Sequence, residues 1–357
     1  MRLTAFTKYG PMAASTRQRL LQYAPALEAA GVELDFRPLL DDGYVASLAT
    51  GKRYDRRRIA AAYLRRLRDI AFEPLGDVVF VYAELLPWLP SALERLLLRR
   101  GRPIIYDIDD AFFHTYNRHR SALVRSILGR KFEPLLRSAA ACICGNAYLR
   151  GYVSQYCSRT YVIPTVVDTD GYKPAPKAHE PLPVIGWIGS PTTWRYVRPL
   201  LPLLQELVSD GRARVKIVGA GAAASGDSFP GLEFVDWSEA SEIEQVQSFD
   251  IGIMPLPDDD WARGKSGYKL IQYMACGAPV VASPVGVNAE MVHGDSNGFL
   301  ASTPDQWRNA LDRLVCDSAL RHRMGQEGRR LAVRDYSLVA HGPRFVRIIL
   351  DCVRSST

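Results

Sequence analysis

Short apolar, β-branched runs alternate with amphipathic stretches along the whole chain. Runs of three to five apolar residues bounded by turn residues read as buried strands. Apolar positions recurring every three or four residues read as helices. On this pattern the first half carries strands at 3–7, 78–82, 104–108, 141–144 and 161–163, with helices at 17–30 and 55–72. The second half repeats the grammar with strands at 184–188, 215–218, 232–235, 251–255, 280–283 and 298–301, and helices at 193–210, 267–276 and 304–317. Strands that alternate with helices build parallel sheets from βαβ units. The expected fold class is therefore α/β, with two doubly wound, Rossmann-like domains.

The join lies in IPTVVDTDGYKPAPKAHEPLP, whose prolines, glycine and polar residues sustain neither helix nor strand. This gives a first domain at 1–166, a linker at 167–183, a second domain at 184–337, and a last helical segment at 338–357 that returns to the first domain. Two such sheets face each other across a cleft at the carboxyl ends of their strands, where ligands bind.

The residues just past those strand ends carry the candidate chemistry. KYGPMAASTRQR places Ser15 and Thr16 to cap a helix that then carries Arg17 and Arg19, a pattern suited to an anion. Glu84 follows the strand at 78–82. In YDIDDAF three carboxylates crowd together and need a cation, a basic group or water to offset their repulsion. Alternation sends Asp107 and Asp109 to one face and Asp110 to the other; Asp109 is placed toward a bound hydroxyl group and its neighbours toward capping the turn. A metal is the competing account of the trio and is not adopted.

IGWIGSPTTWRYV sets Gly189 and Ser190 after a strand, a helix start at Thr192–Thr193, and Arg195 close by. VGAGAAASG matches G-x-G-x-x-A, but Gly226, Pro230 and Gly231 leave no crossover helix behind it, so a dinucleotide site is disfavoured. The densest signal is GKSGYKLIQYMACG. Lys265 and Lys269 flank Ser266 and Gly267 where a helix opens, although lysines oppose the positive end of a helix dipole. Free N–H groups at 266–269 with two ammonium groups suit a diphosphate, and Gln272, one turn on, reaches a sugar hydroxyl.

Composition adds limits. The chain has 357 residues, 47% apolar and 23% charged, and a formal net charge of +7. That balance favours an anionic ligand or membrane surface and is too weak and dispersed for nucleic acid. The six scattered cysteines read as buried thiols of a reducing compartment. No signal peptide is evident, and no apolar run reaches the ~20 residues of a membrane span. The expected location is the cytoplasm, with peripheral contact at the inner membrane face through 55–72. There Ile59, Tyr63, Leu67 and Ile70 form an apolar stripe among arginines; a buried stripe with a solvated basic face is the plainer alternative.

PLPDDDWARGKSGYKLIQYMACGAPVVASPVG resembles the donor-binding segment of family 4 glycosyltransferases, which have the GT-B fold. YDIDDAF, YVIPTVVDTDGYKP, IGWIGSPTTWRYV, VGAG, FVDW and NGFLA follow in family order. The resemblance implies transfer of a sugar from a UDP- or GDP-linked donor to a glycan, lipid-linked or small-molecule acceptor. It further implies retention of configuration, no cofactor and no essential metal, and a place in cell-envelope or secreted polysaccharide synthesis. Asp109, Lys265 and Lys269 take the catalytic positions. Gly189, Ser190, Arg195, Trp237, Ser266, Gly267, Tyr268 and Gln272 take the donor positions, and Ser15, Thr16, Arg17 and Glu84 an acceptor or phosphate site. The family's two donor-segment glutamates read Gly264 and Gln272 here, and a common histidine reads Asp109. A nucleotide-sugar epimerase, a dehydrogenase and a non-catalytic sugar-nucleotide-binding subunit are the other readings.

Overall fold

The computed structural model describes residues 1–51, 53–176 and 182–354. Residues 177–181 of the expected linker and 355–357 of the expected last segment lie outside the described residues.

Among the described residues, twelve strands form two six-stranded, wholly parallel sheets. The first contains β1 (Arg2–Tyr9), β2 (Glu33–Leu40), β3 (Val78–Tyr82), β4 (Ile104–Ile108), β5 (Ala141–Cys144) and β6 (Thr160–Val162), in the order β2-β1-β3-β4-β5-β6. The second contains β7 (Val184–Ile188), β8 (Arg214–Val218), β9 (Leu232–Val235), β10 (Ile251–Met254), β11 (Val280–Ala282) and β12 (Gly298–Leu300), in the order β12-β11-β10-β7-β8-β9. Every residue of β3, β4 and β5 is buried, as expected for central parallel strands covered by helices on both faces.

β2 is absent from the sequence expectation. ELDFRPLL has mixed charge and a proline, tolerated because β2 pairs on one side only. Its Asp35 accepts from Arg2 at 2.9 Å, Thr4 at 3.0 Å and Arg37 at 2.6 Å, which offsets the charge. The helix expected at 17–30 is three pieces, Ala14–Arg19, a 3-10 turn at Leu21–Tyr23, and Ala24–Ala29. Pro25 lacks the N–H a continuous helix needs and sits instead in a first turn. The helix Ser318–Asp335 is also unexpected: Gly325 and Gly328 weaken its pattern. A Cβ on Gly325 would meet the Gly277 carbonyl at 2.0 Å, so the glycine permits close packing on the helix Tyr268–Ala275.

The helix Arg56–Ala71 corrects the membrane expectation for its stripe. Ile70 is buried and Tyr63 and Leu67 pack onto the core of the first lobe, so the stripe faces inward. Arg66 is buried with them and donates to the carbonyls of Thr7, Leu85 and Arg37. The outward face is arginine-rich, with Leu64 and Phe72 exposed. The six cysteines are thiols rather than disulfides, and Cys316 is exposed where burial was expected. No helix among the described residues is long and apolar enough to cross a membrane.

The chain crosses between the lobes twice, side by side. Val167 N–H donates to the Tyr336 carbonyl at 3.0 Å, and Leu338 N–H to the Val167 carbonyl at 2.9 Å. The last helix, Leu338–Arg354, then packs on the first lobe, where Phe345 stacks on Tyr23 at 4.1 Å and meets the edge of Phe80 at 5.8 Å.

Candidate active site

The carboxyl ends of both sheets face one cleft. Part of it is a cavity of about 790 Å³ lined by Asp110 from the first lobe and Ser190, Thr193, Arg195, Trp261 and Lys265 from the second.

On the second lobe, Gly267 adopts φ +69° and opens the helix Tyr268–Ala275 without a side-chain cap. A Cβ there would also meet Met291 Sδ at 2.7 Å, so the turn requires glycine. Among the described residues, the N–H groups of Ser266, Gly267, Tyr268 and Lys269 make no hydrogen bond. Lys269 is partly buried, stands over the Trp187 ring at 5.7 Å and has no ion-pair partner among the described residues. Burial, then the charge of Lys265, pushes its pKa down to about 8. Gly189 permits this placement, since a Cβ there would strike the Trp187 ring at 2.3 Å and Lys269 Cε at 2.9 Å. Four unpartnered amides beside an unpaired ammonium form a site built for an anion.

Lys265 differs. Its Nζ lies 3.0 and 3.3 Å from the carboxylate oxygens of Asp110, across the cleft. Burial opposes its charge, but Asp110 more than compensates and its pKa stands above the usual lysine value. Ser190 caps the short helix Pro191–Trp194 through a reciprocal capping box with Thr193, so that helix begins at Pro191, just ahead of the expected start at Thr192–Thr193. Arg195 folds over the Tyr196 ring at 4.9 Å and donates to its hydroxyl at 2.9 Å.

Gly264 marks an abutment. A Cβ there would lie 2.6 Å from Ala111 Cβ of the opposite lobe, and its carbonyl accepts from Asn146 at 3.0 Å. A glutamate side chain has no room at this position while the lobes are so placed. Gln272 is buried, and its amide donates to Glu242 Oε1 at 2.9 Å and to the Tyr172 hydroxyl at 3.1 Å. Its donors are therefore taken by the protein rather than turned to an open cleft. Glu242 also accepts from Tyr172 and, at 2.5 Å, from Trp237 Nε1. The Tyr268 hydroxyl accepts from Gln18 of the first lobe at 2.5 Å.

The three aspartates separate. Asp107 is fully buried and paired with Arg19 by contacts of 2.8 and 3.1 Å, and burial still pushes its pKa up to about 6. Asp109 accepts from the Tyr82 hydroxyl at 2.8 Å; burial, then the charge of Asp110, pushes its pKa up to about 7. Asp110 takes Lys265. Ion pairing and hydrogen bonding offset the crowding, rather than the capping expected for Asp107 and Asp110.

The first-lobe anion expectation is corrected in part. Ser15 and Thr16 lie inside the helix Ala14–Arg19, whose cap position is Ala13, and the Thr16 hydroxyl is spent on the Tyr9 carbonyl at 3.1 Å. Arg17 holds the carbonyls of Pro11 and Met12, and lies over the Trp237 ring at 5.4 Å and 3.4 Å from Glu239. Glu84 is not an acceptor contact: it is buried against Lys8 at 2.7 Å and the Tyr116 hydroxyl. Sequence reasoning set Arg19 toward an anion, whereas it is spent on buried Asp107, and it missed Tyr82, Asn146, Tyr172 and Glu242. Only Asn146 carried a signal, as a cap residue directly after a strand.

Residues 182–317 match the family described as Glycosyl transferases group 1. No curated protein matches the sequence. Sucrose-phosphate synthase from Thermosynechococcus elongatus superposes with a TM-score of 0.74 at 15% identity, covering 99% of this chain and 100% of that one. WaaG, a glycosyltransferase involved in lipopolysaccharide biosynthesis, superposes with a TM-score of 0.71 at 15% identity, covering 98% of this chain and 99% of its own.

The chain has the GT-B fold.

A third solved structure, Anabaena HepE in complex with UDP and glucose, gives a TM-score of 0.70 at 14% identity over 97% of this chain and 98% of that one. The GT-B cleft described above lies between the group 1 segment and the first lobe, and the loop after β8 fits this fold rather than a dinucleotide site. There Gly221–Ala224 forms a 3-10 turn with no crossover helix.

Proposed function

We propose that the protein is a retaining glycosyltransferase that moves a sugar from a nucleoside-diphosphate sugar to a hydroxyl acceptor. One observation carries this: the uncapped amides of 266–269 beside Lys269, a partly buried ammonium with no carboxylate of its own among the described residues. The group 1 match and a related fold that holds UDP and glucose support the same direction. The donor's diphosphate sits on the amides and Lys269, with its nucleoside toward Trp237 and Glu242 and its sugar toward Asp109 and Asp110.

As the sugar–phosphate bond breaks, negative charge grows on the departing diphosphate. Fixed amide dipoles and Lys269 stabilise that charge, and Lys265 joins them when it exchanges Asp110 for phosphate. The acceptor hydroxyl approaches on the face the leaving group departs from and gives its proton to a donor phosphate oxygen, so configuration is kept. Asp109, held near neutrality, donates or accepts a hydrogen bond at the sugar as its protonation requires. A UDP- or GDP-linked donor, an acceptor from envelope or secreted glycan synthesis, and peripheral contact with the inner membrane face belong to the same proposal.

Calorimetric titration with UDP and GDP tests it. Wild-type protein binds one of them, and Lys269→Met binds it at least tenfold more weakly. Binding of neither diphosphate, or equal binding by the variant, overturns the proposal.

A further inference from the structure

The charge of the chain is lopsided. Residues 1–166 hold 25 Lys and Arg against 15 Asp and Glu, a net of +10, whereas 167–357 hold 20 against 23. Within the first lobe, no acid occurs between Asp110 and Glu133, a stretch that carries Arg118, Arg120, Arg125, Arg130 and Lys131.

The helix Ala122–Leu128 lies in that stretch and is apolar on two sides. Leu128 is buried in the first lobe's core and Val124 packs against it. Leu123 and Ile127, one turn apart on the outward side, are 68% and 55% exposed. Beside the exposed Arg125 and Ser126, this second apolar side has no protein surface among the described residues to cover it. Trp88 continues the patch: it is 52% exposed, yet sits at φ +60°, a costly backbone for a bulky residue. Its N–H is held by the Tyr116 hydroxyl at 3.0 Å, and that hydroxyl is anchored on buried Glu84. The indole meets His119 edge-on at 5.9 Å, and Arg125 binds the carbonyls of His119 and Arg120 at 2.6 and 3.0 Å. His119 thus ties Trp88 to the segment that leads into the helix. Trp88 follows β3 and the helix follows β4, so both lie at the cleft-side edge of the sheet, where Arg118 pairs with Asp260 of the opposite lobe.

We propose that Trp88, Leu123 and Ile127, flanked by Arg120 and Arg125, dock on an anionic lipid bilayer. Resting on the glycosyl-transfer reading, this docking presents the mouth of the cleft to a lipid-borne acceptor. A bilayer fits better than a second copy, because self-docking would bring like arginines together. Arginine stems beside an indole and branched aliphatics suit the headgroup boundary, and the charge excess adds attraction to anionic lipid. The helix Arg56–Ala71 is basic too, but its stripe is already committed inward.

Co-sedimentation of the full chain with vesicles of phosphatidylcholine containing about one-third phosphatidylglycerol, at low salt, tests the docking. The wild type pellets with them and binds pure phosphatidylcholine at least tenfold more weakly. L123S/I127S loses about a hundredfold in partition, while its thermal midpoint and UDP affinity stay at wild-type values. Trp88→Gly, which also suits the left-handed backbone, loses about tenfold. L64S, on the basic helix, stays within twofold of wild type. A wild type that remains in the supernatant, a double variant that still pellets, or a loss in L64S equal to that of L123S/I127S overturns the assignment. So does a wild-type dimer in sedimentation velocity that L123S/I127S dissolves. Absent UDP binding with vesicle binding intact strikes the sugar-transfer reading alone.

Discussion

Lys269→Met removes one charge and keeps most of the stem. In the free protein, burial and Lys265 hold the ammonium at a pKa of about 8. About one lysine in eleven is then neutral at pH 7, and about ten in eleven at pH 9. A bound diphosphate favours the charged form, so binding takes up a proton above pH 8, and the Kd for UDP rises about tenfold between pH 7 and pH 9. The terminal phosphate of UDP titrates near pH 6 and leaves that window clear. The variant forfeits a hydrogen bond between charged groups worth about 1.5–3 kcal/mol, so it binds UDP about ten- to a hundredfold more weakly at pH 7, without the pH slope. Stability moves the other way. The unfolded chain holds this proton up to pH 10.5 and the folded chain only to about 8, so the wild type gains stability as pH rises through that interval. At pH 7 the variant is more stable by about 1–2 kcal/mol, a figure reduced for partial exposure. Calorimetry from pH 7 to 9.5, in buffers of differing ionisation heat, counts the proton, and urea unfolding reads the stability. A flat wild-type Kd, or a variant that binds UDP within twofold of wild type, refutes the assignment.

Lys265→Ala lowers turnover by about tenfold to a thousandfold with a smaller change in KM, measured by donor consumption; an unaltered rate removes Lys265 from the leaving-group site. Asp109→Asn abolishes the change in kcat/KM that the wild type shows across pH 7. The folded pKa of Asp109 lies above its unfolded value of 3.8, so its contribution to stability is full below about pH 4 and is lost as pH rises to about 7. Urea midpoints at pH 5 and pH 8 should differ less in the Asn variant, and an equal difference would contradict the burial of that charge. Gly264→Glu forces a side chain into the space of Ala111, at an overpacking cost of about 1–3 kcal/mol to the closed arrangement. X-ray scattering should show a larger radius of gyration with UDP affinity retained; an unchanged profile would mean the lobes do not meet there.

The architecture was legible because central parallel strands are buried on both faces and leave unbroken apolar runs, as VVFVY and VVAS do. β2 was illegible because Asp35 is offset by Arg2 and Thr4, distant in sequence, as well as by Arg37 beside it, and Ser318–Asp335 because its glycines answer to a neighbouring helix. The same division holds in the cleft. Gly267 and Lys269 declared themselves through local incongruity, a glycine and a cation where a helix begins. Glu242 and Tyr82 act through contacts between elements far apart in the chain, and no local pattern marks them. The Glu84 and Gln272 expectations placed each residue at the cleft but could not supply the buried partners that claim them.

The final helix supplies Phe345, Ile348, Ile349 and Cys352 to the hydrophobic interior beneath β1 and β3. An amino-terminal half emerging from the ribosome therefore waits, with Tyr23 and Phe80 unsealed, until the whole second lobe has been synthesised and the last segment threads back. The second lobe can close around its own sheet first, although it is made later. Refolding should accordingly be vectorial in reverse, and a nick or truncation near residue 338 should unravel the half of the molecule farthest from it in sequence.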